Sequence, residues 1–312
     1  MKNQSITEAM LQFIEESPTA FHAAANVEAL LLENGFEKLE NLAEGALVPG
    51  GSYYTMQNGS AVLAVKIPEN PAKGFRIAAS HSDSPCFKIK EVPEMKVENT
   101  YVKLNVEKYG GMILSPWLDR PLSVAGRVFV AGKDGKPEAK LVNLKKDLLI
   151  IPNVAIHFNR EINNGFAYNP QTDMAPLMGL DQELSIKKLC AEAAGVAEEE
   201  ILGSDLYVYN RDKGRIMGAD DSLIGAPRLD DLQCAYATLR GFLASKPEEF
   251  ISVYALFDNE EVGSGTKQGA DSTFLTDTMR RIASALNIPE AEWLRKMPDS
   301  FMLSADNAHA VH

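Results

Sequence analysis

The chain has 312 residues, of which 45% are hydrophobic and 24% are charged. This composition supports one large or two smaller globular domains and excludes disorder over most of the length. The 31 Lys and Arg residues are outnumbered by 43 Asp and Glu residues, which gives a formal net charge of −12. Such an acidic chain is not expected to bind nucleic acids or anionic membranes in a general way.

The three cysteines, Cys86, Cys190 and Cys234, are far apart in the sequence. Their odd number and wide spacing argue against a disulfide framework and against a thiolate zinc site, and favour a reducing compartment. The N-terminal region lacks the long apolar segment of a signal peptide, and no stretch approaches the ~18 apolar residues of a membrane span. We therefore expect a cytoplasmic protein.

The first part of the chain predicts two helices followed by three strands. Ser5 and Glu8 form a capping-box pattern that opens the first helix, and Ser17-Pro18 ends it. A second helix is predicted over residues 19–34, with Gly35 as its C-terminal stop. Short apolar or alternating segments between turn residues predict strands at 51–56, 61–67 and 75–79.

Between about residues 90 and 215, short β-like segments replace the helical patterns. They lie at 101–106, 124–130, 148–152 and 206–209, and turn sequences occur at 133–135 and 163–165. One helix-like stretch interrupts them, near residues 183–194. This pattern indicates a β-rich unit inserted into another domain.

The α/β pattern resumes after the insert. Helices are predicted at 229–243 and 274–286. Ile251–Phe257 is a continuous apolar run, typical of a parallel strand covered on both faces, and Phe301–Ser304 is a final short strand.

Three of these strands lead directly into residues that can bind metal. They are followed by His81-Ser-Asp83, by Asp258-Asn-Glu260-Glu261 and by Asp306. A fourth group, Asp230-Asp231, opens the helix predicted at 229–243. Open α/β sheets carry their functional sites at such strand ends. One imidazole with several carboxylates suits Zn²⁺, Mn²⁺ or Co²⁺ in a hydrolytic site.

Each group also has an ordinary structural interpretation. Asp230 matches a helix N-cap, Glu260-Glu261 matches a solvated loop, and the segment around Asp306 matches a turn. The spacing of His81 and Asp83 favours a metal site, because a ligating imidazole usually donates its other N–H to a carboxylate. Two adjacent carboxylates allow one to bind metal while the other accepts a proton from the attacking water. The coincidence of the four groups predicts a two-metal hydrolase.

Four segments resemble the metal-site motifs of the M18 metallopeptidases, the aspartyl aminopeptidase family. They are His81-Ser-Asp-Ser-Pro85, Pro227-Arg-Leu-Asp230, Asn259-Glu-Glu-Val-Gly-Ser264 and Ser304-Ala-Asp-Asn-Ala-His-Ala310. Two more, Trp117-Leu-Asp-Arg-Pro121 and Ile151-Pro-Asn-Val-Ala-Ile-His157, resemble that family's dimerisation domain. The resemblance implies a zinc-peptidase-like α/β/α sandwich at 1–92 and 222–312, interrupted by a β-rich oligomerisation domain at 93–221.

The resemblance also implies two divalent metal ions per subunit. Zinc is the expected metal, and cobalt and manganese are alternatives. Asp230 would bridge the two ions, His81 and Asp306 would complete one site, and Glu261 would serve the other. Glu260 would be the general base. The expected activity is removal of the N-terminal residue from short peptides, with N-terminal Asp or Glu as the family's best-known preference.

His157 matches a histidine that the family's dimerisation domain inserts into the neighbouring subunit's active site, where it can stabilise the oxyanion. From the sequence alone, a packed histidine on a β-rich arm is the simpler interpretation. The resemblance implies dimers that assemble into dodecamers. His22 has no counterpart in these motifs and is expected in the core or on the surface.

Two features depart from the family pattern. Members continue well beyond the segment that ends here at His312 and carry their last metal-binding histidine there, so the second metal would keep only Asp230 and Glu261. Neither His309 nor His312 is an expected substitute. A catalytically impaired scaffold that binds metal or peptide is therefore one alternative, and a related two-metal aminopeptidase or carboxypeptidase is another. Asp231 stands where members commonly have Asn, which adds negative charge.

Overall fold

The computed structural model describes residues 5–41, 47–70 and 73–311. The chain divides into two compact units, one formed by Met1–Ser84 with Gly214–His312 and the other by Pro85–Lys213. We call them the α/β unit and the β unit. Both boundaries lie eight residues before those expected from the sequence. The first boundary is earlier because the strand Cys86–Val97 already pairs within the sheet of the β unit.

The described residues form six α-helices. They are α1 (Ile6–Glu16), α2 (Ala20–Glu33), α3 (Ile186–Ala194), α4 (Leu229–Ala244), α5 (Phe274–Ala285) and α6 (Glu290–Lys296). None of the helices in these ranges combines the length and the apolar character that crossing a bilayer requires.

Fourteen strands occur in the same ranges. They are β1 (Glu37–Lys38), β2 (Ser52–Gln57), β3 (Ala61–Lys66), β4 (Phe75–His81), β5 (Cys86–Val97), β6 (Tyr101–Tyr109), β7 (Leu122–Ala131), β8 (Pro137–Asn143), β9 (Leu177–Gly179), β10 (Gly203–Asn210), β11 (Arg215–Met217), β12 (Leu223–Gly225), β13 (Ile251–Phe257) and β14 (Phe301–Ser304).

The N-terminal helices form as their cap residues predict. The Ser5 hydroxyl accepts the Glu8 backbone N–H at 3.1 Å, and the Glu8 carboxylate accepts the Ser5 N–H at 2.9 Å, which completes the capping box of α1. Gly35 follows α2 with a φ of 78°, in the left-handed region that glycine adopts without strain.

The sheet of the α/β unit has the strand order β1-β2-β3-β13-β4-β14. β13 runs parallel to β4 and antiparallel to β3, so the parallel pairing predicted for this strand occurs on one side only. β14 also runs parallel to β4. The three strands that lead into the acidic motifs are therefore parallel neighbours in the middle and at one edge of the sheet.

Helices cover both faces of this sheet. Tyr254 and Leu256 of β13 pack in the cluster that contains residues of α1, α2 and α4. Val253, Ala255 and Phe257 of the same strand pack in the cluster that contains residues of α5 and α6. Because successive side chains of a strand point to opposite faces, the sheet is the middle layer of an α/β/α sandwich. This confirms the predicted fold class.

The β unit contains an antiparallel sheet with the order β8-β7-β10-β5-β6-β9. Its core includes Ile186 and Cys190 of α3, which pack with buried residues of the strands. The β-rich character expected for the insert is thus present. A role of this unit in oligomerisation remains a prediction.

Candidate metal centre

The candidate metal centre lies in the α/β unit, at the carboxyl ends of three parallel strands. Phe257, the last residue of β13, is in register with His81, the last residue of β4. Ser304, the last residue of β14, is in register with Ala79. Because these pairs are parallel, the residues that follow β4, β13 and β14 emerge at the same edge of the sheet.

A first group of ligand atoms surrounds the imidazole of His81. Its Nε2 lies 3.3 Å from Oδ1 of Asp230, 3.8 Å from Oδ1 of Asp306 and 3.9 Å from Oδ2 of Asp231. One ligand atom from each of these four residues can be chosen so that all four atoms lie within 4.8 Å of one another. Side chains from a strand end, a helix start and a second strand end could therefore hold one ion together.

A second group contains His81 again, with Glu260 and Glu261. One ligand atom from each of the three residues falls within the same 4.8 Å limit. Glu260 and Glu261 begin a one-turn 3₁₀ helix, Glu260–Val262, directly after β13. Since His81 belongs to both groups, the two groups of ligand atoms adjoin each other.

Asp83 contacts residues of both ligand groups. It is buried, and its Oδ1 lies 3.3 Å from Nδ1 of His81, which is also 3.1 Å from the Asp83 carbonyl oxygen. The same carboxylate accepts the backbone N–H groups of Glu260 and Glu261, each at 3.2 Å. An imidazole held at Nδ1 in this way presents Nε2 to a metal.

Asp231 is a member of the first group that was expected beside the site but was not among the predicted metal ligands. It is fully buried, and its Oδ2 accepts the backbone N–H of His81 at 3.1 Å. Burial raises the pKa of this carboxyl to about 6. The adjacency of two aspartates was the signal that could have suggested it.

The backbone at Asp230 and Asp231 is not helical, although both residues stand at the start of α4. Asp230 has a φ of −79° and a ψ of 113°, and Asp231 has a φ of −116° and a ψ of 20°. The peptide bond between the two residues is cis. The N-cap position is taken by Arg228. The N-cap interpretation of Asp230 is therefore wrong, because its side chain faces His81 instead of the first turn of the helix.

Negative charge is concentrated at the centre. Burial raises the pKa of Glu261 to about 7, and the nearby carboxylates of Asp83, Asp230 and Glu260 add to the effect. Burial also raises the pKa of Asp230. Carboxyl groups with raised pKa values are crowded and poorly solvated in their charged form.

The same negative charge favours the protonated form of His81. Burial alone would lower the pKa of His81, but its hydrogen bond to Asp83 and the charges of Asp83, Asp231 and Asp230 raise it to about 9. His81 forms ion pairs with all three of these aspartates. A divalent cation would supply the missing positive charge in place of protons, so this donor set fits the zinc, manganese or cobalt ions expected from the sequence.

The remaining histidines lie elsewhere. His157 belongs to a short 3₁₀ helix of the β unit, Ile156–Phe158, with its ring 4.6 Å from that of Phe158. It is exposed, so the packed interpretation is wrong for the single chain. Nδ1 of His22 lies 2.8 Å from the Thr19 hydroxyl. His309 is exposed and belongs to neither ligand group of the described residues, and His312 lies outside those residues.

Comparison with known proteins supports a common origin over nearly the whole chain. Residues 13–312 match the family model of the aminopeptidase I zinc metalloproteases, M18. The chain is 44% identical over 321 residues to a probable M18 family aminopeptidase 2 of Clostridium acetobutylicum, covering 100% of this chain and 74% of that protein. A protein of the same name from Pseudomonas putida is 36% identical over 318 residues, with coverages of 99% and 72%.

Solved structures agree with this assignment. A cryo-EM structure of the Ape4 and Nbr1 complex has a TM-score of 0.91 and 32% identity over 98% of this chain, which spans only 64% of the compared chain. The structure of Chaetomium thermophilum mApe1 has a TM-score of 0.89 and 30% identity, with coverages of 98% and 75%. The structure of the S. cerevisiae mApe1 dodecamer has a TM-score of 0.84 and 26% identity, and the match covers 99% of this chain and 73% of that chain. The chain therefore belongs to the M18 family of zinc metalloproteases, a family of metal-dependent aminopeptidases.

Proposed function

We propose that the chain removes the N-terminal residue from short peptides in a two-metal site, with Glu260 as the general base. The observation that carries this proposal is the convergence of two overlapping groups of ligand atoms, one rich in aspartate and one with two glutamates, at the same edge of the sheet. Asp230, Asp231 and Asp306 complete one group, and Glu260 and Glu261 complete the other. An adjoining pair of cation positions at a strand-end edge suits hydrolysis of a peptide bond.

Four residues hold the metal ions in this proposal: His81, Asp230, Glu261 and Asp306. By the family resemblance, Asp230 would be shared by both ions; its carboxylate lies 3.3 Å from Nε2 of His81, and its charge contributes to the raised pKa of Glu261. Imidazole and carboxylate donors without thiolates suit zinc, with cobalt or manganese as alternatives. When bound, the metal ions polarise the scissile carbonyl and acidify the attacking water.

Glu260 moves the proton. Its side chain is exposed, whereas its backbone N–H is fixed by the buried Asp83 carboxylate at 3.2 Å. The carboxylate takes a proton from water as the oxygen attacks the peptide carbonyl, and it delivers that proton to the departing amine as the C–N bond breaks. Asp83 keeps the ring of His81 and the Glu260 turn in place during both transfers.

The charge of the site favours peptides with a free N-terminus. The side chains of Asp230 and Asp306 are more than half exposed, and they offer negative charge to an α-ammonium group. A preference for N-terminal Asp or Glu is the expectation from the family resemblance. The remainder of the peptide chain leaves as the shortened product.

We also propose that the chain acts as a homo-oligomer in which His157 reaches the site of a neighbouring subunit. His157 is exposed, and so are the apolar side chains of Val154, Ile156 and Phe158 around it. Apolar side chains clustered on an exposed segment are typical of an interaction surface. The dodecamer of S. cerevisiae mApe1 supports a homo-oligomer, and dimers that assemble further are the expectation from the family resemblance. A cytoplasmic location remains a prediction, for which the cysteine content is one ground.

The test is a metal titration of chelator-treated protein with a panel of peptides that differ in the first residue. We expect zinc, cobalt or manganese to restore cleavage of peptides with a free N-terminus, and we expect N-acetylated copies of the same peptides to remain intact. Tight metal binding without cleavage of any peptide would contradict the proposed aminopeptidase activity. It would favour the alternative of a catalytically impaired scaffold that binds metal or peptide.

A further inference from the structure

Glu260 and Glu261 project from a loop, residues 258–269, that folds back on itself. The Asp258 N–H donates to the Gln268 carbonyl oxygen at 3.1 Å, which closes the loop where it leaves β13. Gly269 lies so close to Ser264 that a Cβ added to it would be 2.0 Å from the Ser264 carbonyl oxygen. This approach requires glycine at position 269 and shows that the two sides of the loop are in direct contact.

Asn259 joins the two sides of this loop. Its Oδ1 accepts hydrogen bonds from the Thr266 hydroxyl at 2.8 Å and from the Gln268 side-chain amide at 2.7 Å. Its backbone carbonyl accepts the N–H groups of Val262 at 3.3 Å and Ser264 at 2.8 Å. One residue therefore binds four partners, all within the short segment 262–268.

The backbone of Asn259 also directs the acidic residues. Its φ of 63° and ψ of 24° lie in the left-handed region, which Asn tolerates better than most residues. From this turn the next two N–H groups, those of Glu260 and Glu261, point to the Asp83 carboxylate at 3.2 Å each. The turn is thus held from one side by Asp83 and from the other side by the contacts of Asn259.

We propose that Asn259 is a positioning residue that fixes the carboxylates of Glu260 and Glu261 relative to His81. Without its side-chain acceptor, Thr266 and Gln268 lose their hydrogen bonds to Asn259, and only the backbone hydrogen bonds of the loop and the Asp83 carboxylate still hold the turn. The inference rests on the proposed function, because it needs Glu260 as the base and Glu261 as a metal ligand. It adds a requirement for hydrogen bonds that lie outside the ligand groups.

Three variants separate the hydrogen bonds from the backbone conformation. Asn259→Gly keeps a residue suited to the left-handed region and removes the Oδ1 acceptor. Thr266→Val removes one donor at nearly constant volume, and Thr266→Ser keeps that donor. We expect Asn259→Gly to lower kcat about 10- to 100-fold with little change in KM, since small displacements of a catalytic group have effects of this size.

The second readout is zinc affinity, measured by competition with a chromophoric chelator and independent of turnover. Asn259→Gly should weaken zinc binding about 10-fold or more, as expected when a group that orients a ligand is removed. Thr266→Val should show a smaller loss of both quantities, and Thr266→Ser should restore them. In the Asn259→Gly background, Thr266→Val should have no further effect, because its partner is already absent.

Two matched controls come from the same unit. Asn287 is exposed and has a φ of 57°, so Asn287→Gly is the same replacement in the same backbone region. Thr276 is exposed on α5 and its hydroxyl donates to the Thr273 carbonyl, so Thr276→Val removes a hydroxyl of similar kind. Both should keep the kcat and the zinc affinity of the wild type. If Asn259→Gly unfolds, the Thr266 pair still tests the proposal.

The outcomes distinguish this inference from the proposed function. A wild-type chain that neither binds zinc nor cleaves peptides would contradict the proposed function. An active wild type whose kcat and zinc affinity are unchanged in both Asn259→Gly and Thr266→Val would overturn the role of Asn259 alone. Equal losses in Thr266→Val and Thr266→Ser would overturn it as well, because the hydroxyl would then not be the group that matters.

Discussion

The buried carboxylate of Asp83 accepts the backbone N–H of Glu260 at 3.2 Å. The same carboxylate accepts the N–H of Glu261 and lies 3.3 Å from Nδ1 of His81. One side chain, placed just after β4, therefore orients an imidazole and a turn that lies more than 170 residues further along the chain. This relationship connects the two groups of ligand atoms.

The first prediction concerns Asp83→Asn. An amide has one acceptor atom where the carboxylate has two, and it lacks the negative charge beside His81. We expect zinc affinity to fall about 10- to 100-fold and kcat to fall with it. Chelator competition and steady-state kinetics measure the two effects, with the exposed Asp271→Asn as a control of equal charge change. Zinc affinity equal to that of the wild type would contradict the orienting role.

The second prediction separates the adjacent residues Glu260 and Glu261. Glu260→Gln should leave metal binding nearly intact and lower kcat about 10²- to 10⁴-fold, as expected for the loss of a general base. Glu261→Gln should weaken metal binding itself. Metal content and kcat of both variants are measured at one free zinc concentration. Retained turnover in Glu260→Gln would contradict its assignment as the base.

The third prediction concerns His157. If it acts in the neighbouring subunit, His157→Phe should lower kcat about 10²- to 10³-fold, the usual effect of losing an oxyanion donor. Dissociation and joint reassembly of His157→Phe with Glu260→Gln should then restore about a quarter of the wild-type activity, by random pairing in two-fold dimers. Reassembly of each variant alone is the control. A mixture no more active than its components would contradict action across subunits.

The fourth prediction concerns pH and stability. Cys190 is fully buried in the β unit, and burial raises its pKa from 9.0 to about 12. The unfolded chain loses this proton near pH 9, whereas the folded chain keeps it until about pH 12. The neutral thiol therefore contributes fully to the free energy of unfolding below pH 9. As the pH rises towards 12, this free energy falls by about 1 kcal/mol for each pH unit.

Cys190→Val removes this titration. Between pH 8 and pH 10, the free energy of unfolding of the variant should fall by about 1 kcal/mol less than that of the wild type. Urea unfolding at both pH values measures the difference. Parallel losses in the two proteins would show that the thiol does not titrate differently in the folded and unfolded states.

Local sequence patterns predicted many of the elements. The capping box of Ser5 and Glu8 identified the start of α1, and the apolar run Ile251–Phe257 has the bounds of β13. Cap chemistry and the length of a buried run depend on adjacent residues, so they are visible without the fold. The strand-end rule also selected His81 and the acidic residues that the parallel strands bring to one edge.

Elements that depend on distant partners were not predicted. β5 contains several charged residues and Pro93, and a register shift between Ile89 and Glu94 interrupts its pairing with β6. Its sequence lacks the simple alternation of a strand, so the pairing itself decides its conformation. Conversely, the strand predicted at 148–152 is reduced to isolated bridges of Leu149, Ile150 and Ile151.

Within the candidate site, the same distinction applies. Asp231 belongs to the first ligand group through contacts with His81, which is 150 residues away in the sequence. Asn259 joins the acidic turn to Thr266 and Gln268 by hydrogen bonds of its side chain. Neither residue type signals such contacts by itself, because Asp and Asn are also common in ordinary turns. Their roles follow only from the folded geometry.

The most direct test of the account is a zinc titration of the chelator-treated chain in which bound zinc and peptide cleavage are measured on the same samples. We predict that cleavage of peptides with a free N-terminus rises with bound zinc and reaches its plateau at two ions per chain, and that His81→Ala neither binds zinc tightly nor cleaves peptides. Cleavage that persists after complete metal removal, or wild-type zinc binding by His81→Ala, would contradict the metal centre at the core of the account.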